Sequence, residues 1–186
     1  MISIFYRYQK IITIISILLG LLWIIISTLL MPVKATNLIS TPKEGFQAPD
    51  FSLATPSNEY YSTSDLQGNA ILVNFWTSWC PPCKEEMPIL KNVYEKYKEQ
   101  GFIILAVNST RQDNTSQVIS YIDEMGINFP VLLDTHGIVT SQYKINSFPS
   151  SFFINRKGII EEIVIGGPMS EVLLQTRIEG IIGEGD

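Results

Sequence analysis

The chain is poor in soft metal ligands: its 186 residues include two cysteines, Cys80 and Cys83, and one histidine, His136. A tetrahedral site of Cys and His needs four ligands, so structural zinc is not expected. Two cysteines three positions apart close too short a loop to restrain an unfolded chain, which excludes a disulfide-stapled scaffold. Acidic residues are missing from the first 34 positions, where Arg7, Lys10 and Lys34 are the only charges. All 18 acidic residues therefore lie beyond them, against all but three of the 13 basic ones. An acidic domain of this kind repels phosphate backbones, so nucleic acid is not expected as a partner. Internal repeats are absent.

What is present first is one long apolar run. Ile11–Met31 carries no charge. As a helix it would extend about 31 Å, enough for a hydrocarbon core. Arg7 and Lys10 precede it and Pro32 closes it, which favours a cytoplasmic N-terminus and an extracytoplasmic remainder. A cleaved signal peptide ending at Val33-Lys34-Ala35 is the alternative, although its apolar stretch would run only about 7–15 residues. Both readings export the remainder of the chain. The expected organisation is a cytoplasmic N-terminus (1–10), a transmembrane anchor (11–31), a polar linker with Pro32 and Pro42 (32–45) and a globular domain (46–186).

The globular part alternates strand and helix signals. Asp50–Leu53 and Glu59–Ser62 flank a turn and read as a hairpin. Ala70–Trp76 (AILVNFW) reads as a strand buried on both faces. Pro81–Gln100 reads as a helix ended by Gly101, and Phe102–Val107 as a second buried strand. Thr115–Met125 is helical, Val131–Asp134 extended and Ile138–Tyr143 a short helix. Ser151–Ile154 and Ile159–Ile165 are strands around a turn, and Ser170–Ile181 closes the chain as a helix. This pattern gives an α/β class with a central sheet covered on both faces.

The chemistry concentrates at Trp79-Cys80-Pro81-Pro82-Cys83. A buried strand ends, a turn comes next and a helix begins, which puts Cys80 at a helix N-terminus. The unpaired N–H groups and dipole there stabilise a thiolate, the attacking species in disulfide exchange. Pro81 and Pro82 suit the first helical positions, whose N–H groups lack partners anyway. Cys83 falls one turn later on the same face. Cys80 is thus the expected nucleophile and Cys83 the resolving thiol of a redox-active disulfide, with Trp79 on the rim. Far along the chain, Phe148-Pro149 precedes the buried run Ser151–Ile154. A proline there predicts a tight, cis turn. Facing Cys80, it would let the Phe148 backbone pair with an extended substrate segment. Glu86 reads from the residues alone either as a solvated helix carboxylate or as a functional one.

With these residues in place, the chain resembles the TlpA/ResA-like family of membrane-anchored thioredoxin-fold thiol–disulfide oxidoreductases. The matching pieces are Ala48-Pro49-Asp50-Phe51-Ser52-Leu53, the run Leu72–Pro88, Phe129-Pro130-Val131-Leu132-Leu133-Asp134 and Phe148-Pro149. The resemblance implies a thioredoxin-like fold with an N-terminal β-hairpin and a helix–strand insert at Ser109–Asp134. It implies that Glu86 lies by the active site and manages the proton on Cys83, and that Pro149 is the cis-proline opposite the disulfide. Asn74 stands where thioredoxins proper have a buried aspartate. No cofactor is implied. The implied partners are disulfide-containing exported proteins or apocytochrome c, with a membrane-embedded thiol reductase as electron donor. Two departures stand out: the dipeptide between the cysteines is Pro-Pro, and Ser150-Ser151 replaces the Thr-Thr common in relatives.

Three functions compete. A reductase donates electrons to exported disulfides. An oxidase installs them, and needs a very low Cys80 pKa, usually helped by a histidine between the cysteines. A binding or copper-delivery module would use Cys80, Cys83 and His136 without turnover. Proline between the cysteines favours the reductive direction.

Overall fold

A computed structural model of the chain describes residues 2–30 and 42–183, with side chains in the first segment described for 12–27. The two segments belong to separate compact units. The first unit holds helix α1, Ile2–Leu30. Its apolar side chains from Ile12 to Ile26 are all exposed. Among the described residues no helix is long and apolar enough to cross a membrane. The expected span of 11–31 reaches past the described side chains at both ends, and the linker lies outside the described residues as far as position 41.

The second unit is built on a five-stranded sheet. In chain order its elements are β1 (Ser52–Ala54), β2 (Tyr60–Ser62), β3 (Ala70–Trp76), α2 (Pro81–Tyr97), β4 (Phe102–Asn108), α3 (Thr115–Met125), β5 (Val131–Leu133), α4 (Ile138–Gln142), β6 (Ser150–Ile154), β7 (Ile160–Ile165) and α5 (Glu171–Gly183). The sheet order is β5-β4-β3-β6-β7, and β1-β2 forms a separate antiparallel hairpin. β3 runs parallel to β4 and antiparallel to β6, and β4 runs parallel to β5.

All seven residues of β3 are buried. Alternation along the strands sends one set of side chains to each face. Leu72, Trp76, Ile104 and Phe153 pack with Met87, Leu90 and Val93 of α2 and with Leu174 and Ile178 of α5. On the opposite face Val73, Phe75, Val107 and Phe152 pack with Phe51, Val139 and Tyr143. Each such apolar side chain contributes about 1.5–3 kcal/mol when fully buried. The Tyr143 ring meets Phe51, Phe75 and Phe152, and its hydroxyl donates to the Pro49 carbonyl at 2.7 Å.

Several boundaries differ from the sequence expectation by one or a few residues, and two of these shifts have a visible cause. α2 ends at Tyr97, and Lys98–Gln100 tightens into a 3₁₀ turn that runs into Gly101 at φ 75°, a conformation glycine adopts without steric cost. β1 begins at Ser52 because Asp50 has another task. Its carboxylate accepts from the hydroxyls of Ser62 and Thr63 and from the Ser64 N–H. At the far end from the disulfide, Arg156 donates to the carbonyls of Gly68, Gln100 and Ile182, which ties a loop, the 3₁₀ turn and the last turn of α5 together.

Candidate active site

The turn after β3 delivers the two cysteines. Thr77–Cys80 closes with a bond from the Cys80 N–H to the Thr77 carbonyl. Cys80 is the N-cap of α2, with Pro81 and Pro82 at its first positions. Since both prolines lack an N–H, the Cys83 N–H is the first donor of the helix, and it bonds the Cys80 Sγ at 3.2 Å. Cys80 and Cys83 form a disulfide, S–S 2.06 Å. Both are buried, at 3% and 1% exposure.

Trp79 is the exposed neighbour. Its indole N–H donates to the Gln112 carbonyl at 3.0 Å, and its ring meets Phe148 edge-on at 6.0 Å. The Phe148–Pro149 peptide bond is cis. Pairing of Phe75 with Ser150 places Pro149 at the same end of the sheet as the disulfide. Trp79, Pro81, Pro82, Phe148 and Pro149 are therefore gathered around the Cys80–Cys83 turn.

Glu86, one turn beyond Cys83, is fully buried, whereas Glu85 beside it is exposed. Its Oε2 accepts from Asn74 Nδ2 at 3.2 Å and its Oε1 from the Met169 N–H at 3.0 Å. Burial pushes the Glu86 carboxyl above the ordinary carboxylate range, and the bonds from Met169 and Asn74 only partly offset that. Asn74 also donates to Ser151 Oγ at 2.9 Å, while its Oδ1 is buried with no partner among the described residues. Gly167 lies against this group: a Cβ there would stand 2.7 Å from Pro149 Cγ and 3.3 Å from Glu86 Oε1.

Asp113, Met169, Ser151 and Gly167 do not emerge from the sequence as site residues. Gly166-Gly167-Pro168 carries a turn signal, and Asp113-Asn114 a helix-start signal. Neither points to the disulfide. A groove of about 430 Å³ opens beside the turn, lined by Ser78, Trp79, Lys84, Gln117, Tyr121 and Glu124 among others. Among the described residues no group of three His, Cys, Asp or Glu side chains can hold a metal ion. His136 sits exposed in the turn before α4.

A helix-capping cysteine pair, a cis-proline and a buried carboxyl around one turn make an arrangement able to exchange disulfides with another protein. Known proteins agree. The AhpC/TSA family matches residues 45–163. The thiol–disulfide oxidoreductase ResA of Oceanobacillus iheyensis is 39% identical over 174 residues, 91% of this chain and 85% of that protein. Among solved structures, a thiol:disulfide interchange protein of the thioredoxin family from Chlorobium tepidum superposes with TM-score 0.67 at 27% identity, over 74% of this chain and 96% of that one. StoA from Bacillus subtilis gives 0.61 at 33%, over 69% and 96%. The chain belongs to the AhpC/TSA family and, within it, is a thioredoxin-fold thiol–disulfide oxidoreductase of the ResA type.

Proposed function

We propose that the protein reduces disulfides in exported proteins, with α1 holding the domain on the extracytoplasmic side of a membrane. The carrying observation is the buried Glu86 carboxyl one helical turn beyond Cys83. A carboxyl whose pKa burial raises toward that of a thiol can exchange a proton with the resolving thiol. Pro81-Pro82 in place of a dipeptide containing histidine leaves the reduced state without the extra thiolate stabilisation that makes a strong oxidant.

The steps derive from the geometry. In the reduced protein the Cys80 thiolate attacks one sulfur of a substrate disulfide, which forms a mixed disulfide and releases the first substrate sulfur as a thiolate that takes up a proton. Cys83 gives its proton to the Glu86 carboxylate and attacks Cys80 Sγ. The second substrate thiolate leaves, and the Cys80–Cys83 disulfide returns. The cis-Pro149 turn and the Phe148 backbone hold the substrate extended. Two electrons pass to the substrate, and a membrane-embedded thiol reductase restores the pair. Apocytochrome c, whose haem attachment needs two reduced thiols, is a fitting substrate among exported proteins.

The anchor is supported by the exposed apolar side chains of α1 between Ile12 and Ile26 and by Arg7 and Lys10 ahead of the apolar run. The reading is tested by the equilibrium reduction potential of the full chain. A value below about −220 mV supports electron donation, and one near −120 mV replaces it with disulfide formation. A pair with no reversible titration would instead point to a binding or copper-delivery module.

A further inference from the structure

We infer that Asp113 is a positioning residue that sets the reduction potential of the Cys80–Cys83 pair. Asp113 lies between the 3₁₀ turn Thr110–Gln112 and α3, 35 residues from the turn it grips. Its Oδ2 accepts from the Ser78 N–H at 2.5 Å and from Asn108 Nδ2 at 2.9 Å. Its Oδ1 accepts from the Ser78 hydroxyl at 2.5 Å and from the Asn114 N–H at 2.8 Å. The preceding residue, Gln112, holds the Trp79 indole. Residues 112 and 113 thus fasten residues 78 and 79, the two immediately before Cys80. The clasp stands on rigid ground: Asn108 is fully buried at the end of β4 and is itself fixed by the Thr110 hydroxyl.

The grip carries a charge. All four donors are neutral, and among the described residues no cation lies within ion-pair distance of Asp113. Burial alone would raise its carboxyl, but the bonds from Asn108, Ser78 and Asn114 outweigh burial and hold it below the ordinary carboxylate range. The group is therefore anionic at neutral pH. Bonded to a residue two before Cys80, it stands within about 10 Å of that cysteine. A negative charge there opposes the α2 dipole, which favours the Cys80 thiolate. Destabilising the thiolate disfavours the reduced pair and lowers its potential, the reverse of what makes a strong oxidant. The other titratable or charged groups around the turn are Lys84, Glu85 and Glu86 on α2, Arg111 on the 3₁₀ turn, and Tyr121 and Glu124 on α3. The stretch Ile145–Pro149 brings none. The Lys84 ammonium lies over the Tyr121 ring, and the Arg111 side chain lies against Gly137.

The inference rests on Cys80 being the attacking thiol. The test equilibrates the full chain in detergent with glutathione, in which the protein disulfide and two glutathione thiols give the dithiol and one glutathione disulfide. It is run from pH 6 to pH 9 for wild type, Asp113→Asn, Asp113→Ser, Asp113→Glu and the distant control Glu99→Gln. Alkylation with iodoacetamide against pH, located by mass spectrometry, reports the reactive thiol and its midpoint. Both neutral variants are expected to favour the dithiol about tenfold at pH 9, which is ~30 mV. Their difference from wild type shrinks as pH falls through the Cys80 alkylation midpoint, and that midpoint is lower in both neutral variants. Asp113→Glu recovers most of the difference, and Glu99→Gln changes nothing. Neutral variants within twofold of wild type at pH 9, an unchanged Cys80 alkylation midpoint, or an Asp113→Glu protein behaving like the neutral ones would each overturn the role assigned to Asp113. Alkylation of Cys83 in wild type would instead overturn the assignment of Cys80 as the attacking thiol, and this inference with it.

Discussion

Asn74 and Glu86 meet inside the protein, the amide of one donating to the carboxylate of the other at 3.2 Å, with both side chains buried. The pair joins the central strand to the helix that carries the cysteines. The contact holds the Glu86 carboxyl in place one helical turn beyond Cys83. Burial favours the neutral form of that group and keeps it above the ordinary carboxylate range.

Glu86→Gln is expected to slow resolution of mixed disulfides at neutral pH by about 10²-fold, the low end for loss of a general base. It should also change how stability responds to pH. Glu86 has its folded pKa raised, so the stability it contributes is complete below the unfolded carboxylate value and is lost as pH rises through the folded one. The Gln variant lacks that loss, and its stability relative to wild type should grow with pH across this window. Chemical denaturation of both oxidised proteins between pH 4 and pH 8 measures it. A difference that stays flat would mean that Glu86 titrates as an ordinary carboxyl.

The two cysteines should separate by role. Cys80→Ser is expected to abolish exchange with a model disulfide, whereas Cys83→Ser retains the first attack and accumulates mixed disulfides. Non-reducing electrophoresis of cell extracts containing Cys83→Ser reads this directly. Adducts on Cys80→Ser instead would reverse the assignment.

Gly167→Ala places a methyl 2.7 Å from the Pro149 ring and 3.3 Å from Glu86 Oε1. Overpacking of this kind costs about 1–3 kcal/mol, and here it also displaces the loop opposite the disulfide. Urea unfolding together with exchange rate should show both losses. A variant as stable and active as wild type would mean that the loop has room to give.

Tyr143→Phe removes a buried hydroxyl from the Pro49 carbonyl on the face of the sheet served by Phe75 and Phe152. Leaving that carbonyl unpaired costs about 1–3 kcal/mol. Exchange kinetics should be unchanged. A lowered exchange rate at full occupancy of the folded state would tie this aromatic cluster to the chemistry.

Elements and chemistry with local signals are legible in the chain. β3 can be read because burial on both faces suppresses alternation and leaves a continuous apolar run. Cys80, Pro81, Pro82 and Cys83 can be read because capping and N–H bookkeeping involve neighbours. Contacts between distant residues are not legible. Met169 reaches Glu86 across 83 positions and Asp113 reaches Ser78 across 35, and such pairs leave no periodic trace in either partner. Glu85 and Glu86 look alike in the chain, and only the position of α2 on the sheet makes one exposed and the other buried. Asp50 reads as part of a strand from its neighbours, because the three donors that draw its carboxylate away come from residues 62–64.

The position of β3 has a consequence for how the molecule comes into being. Asn74 is bonded to Ser151, 77 residues later, so the middle of the sheet is synthesised long before its antiparallel neighbour. Until then β3 can pair only with its parallel neighbour β4, and its other edge stays open. Cys80 and Cys83, by contrast, are already together. Their bond can close as soon as the first turn of α2 emerges, so the redox state of the newborn protein reports on its surroundings before the fold is complete.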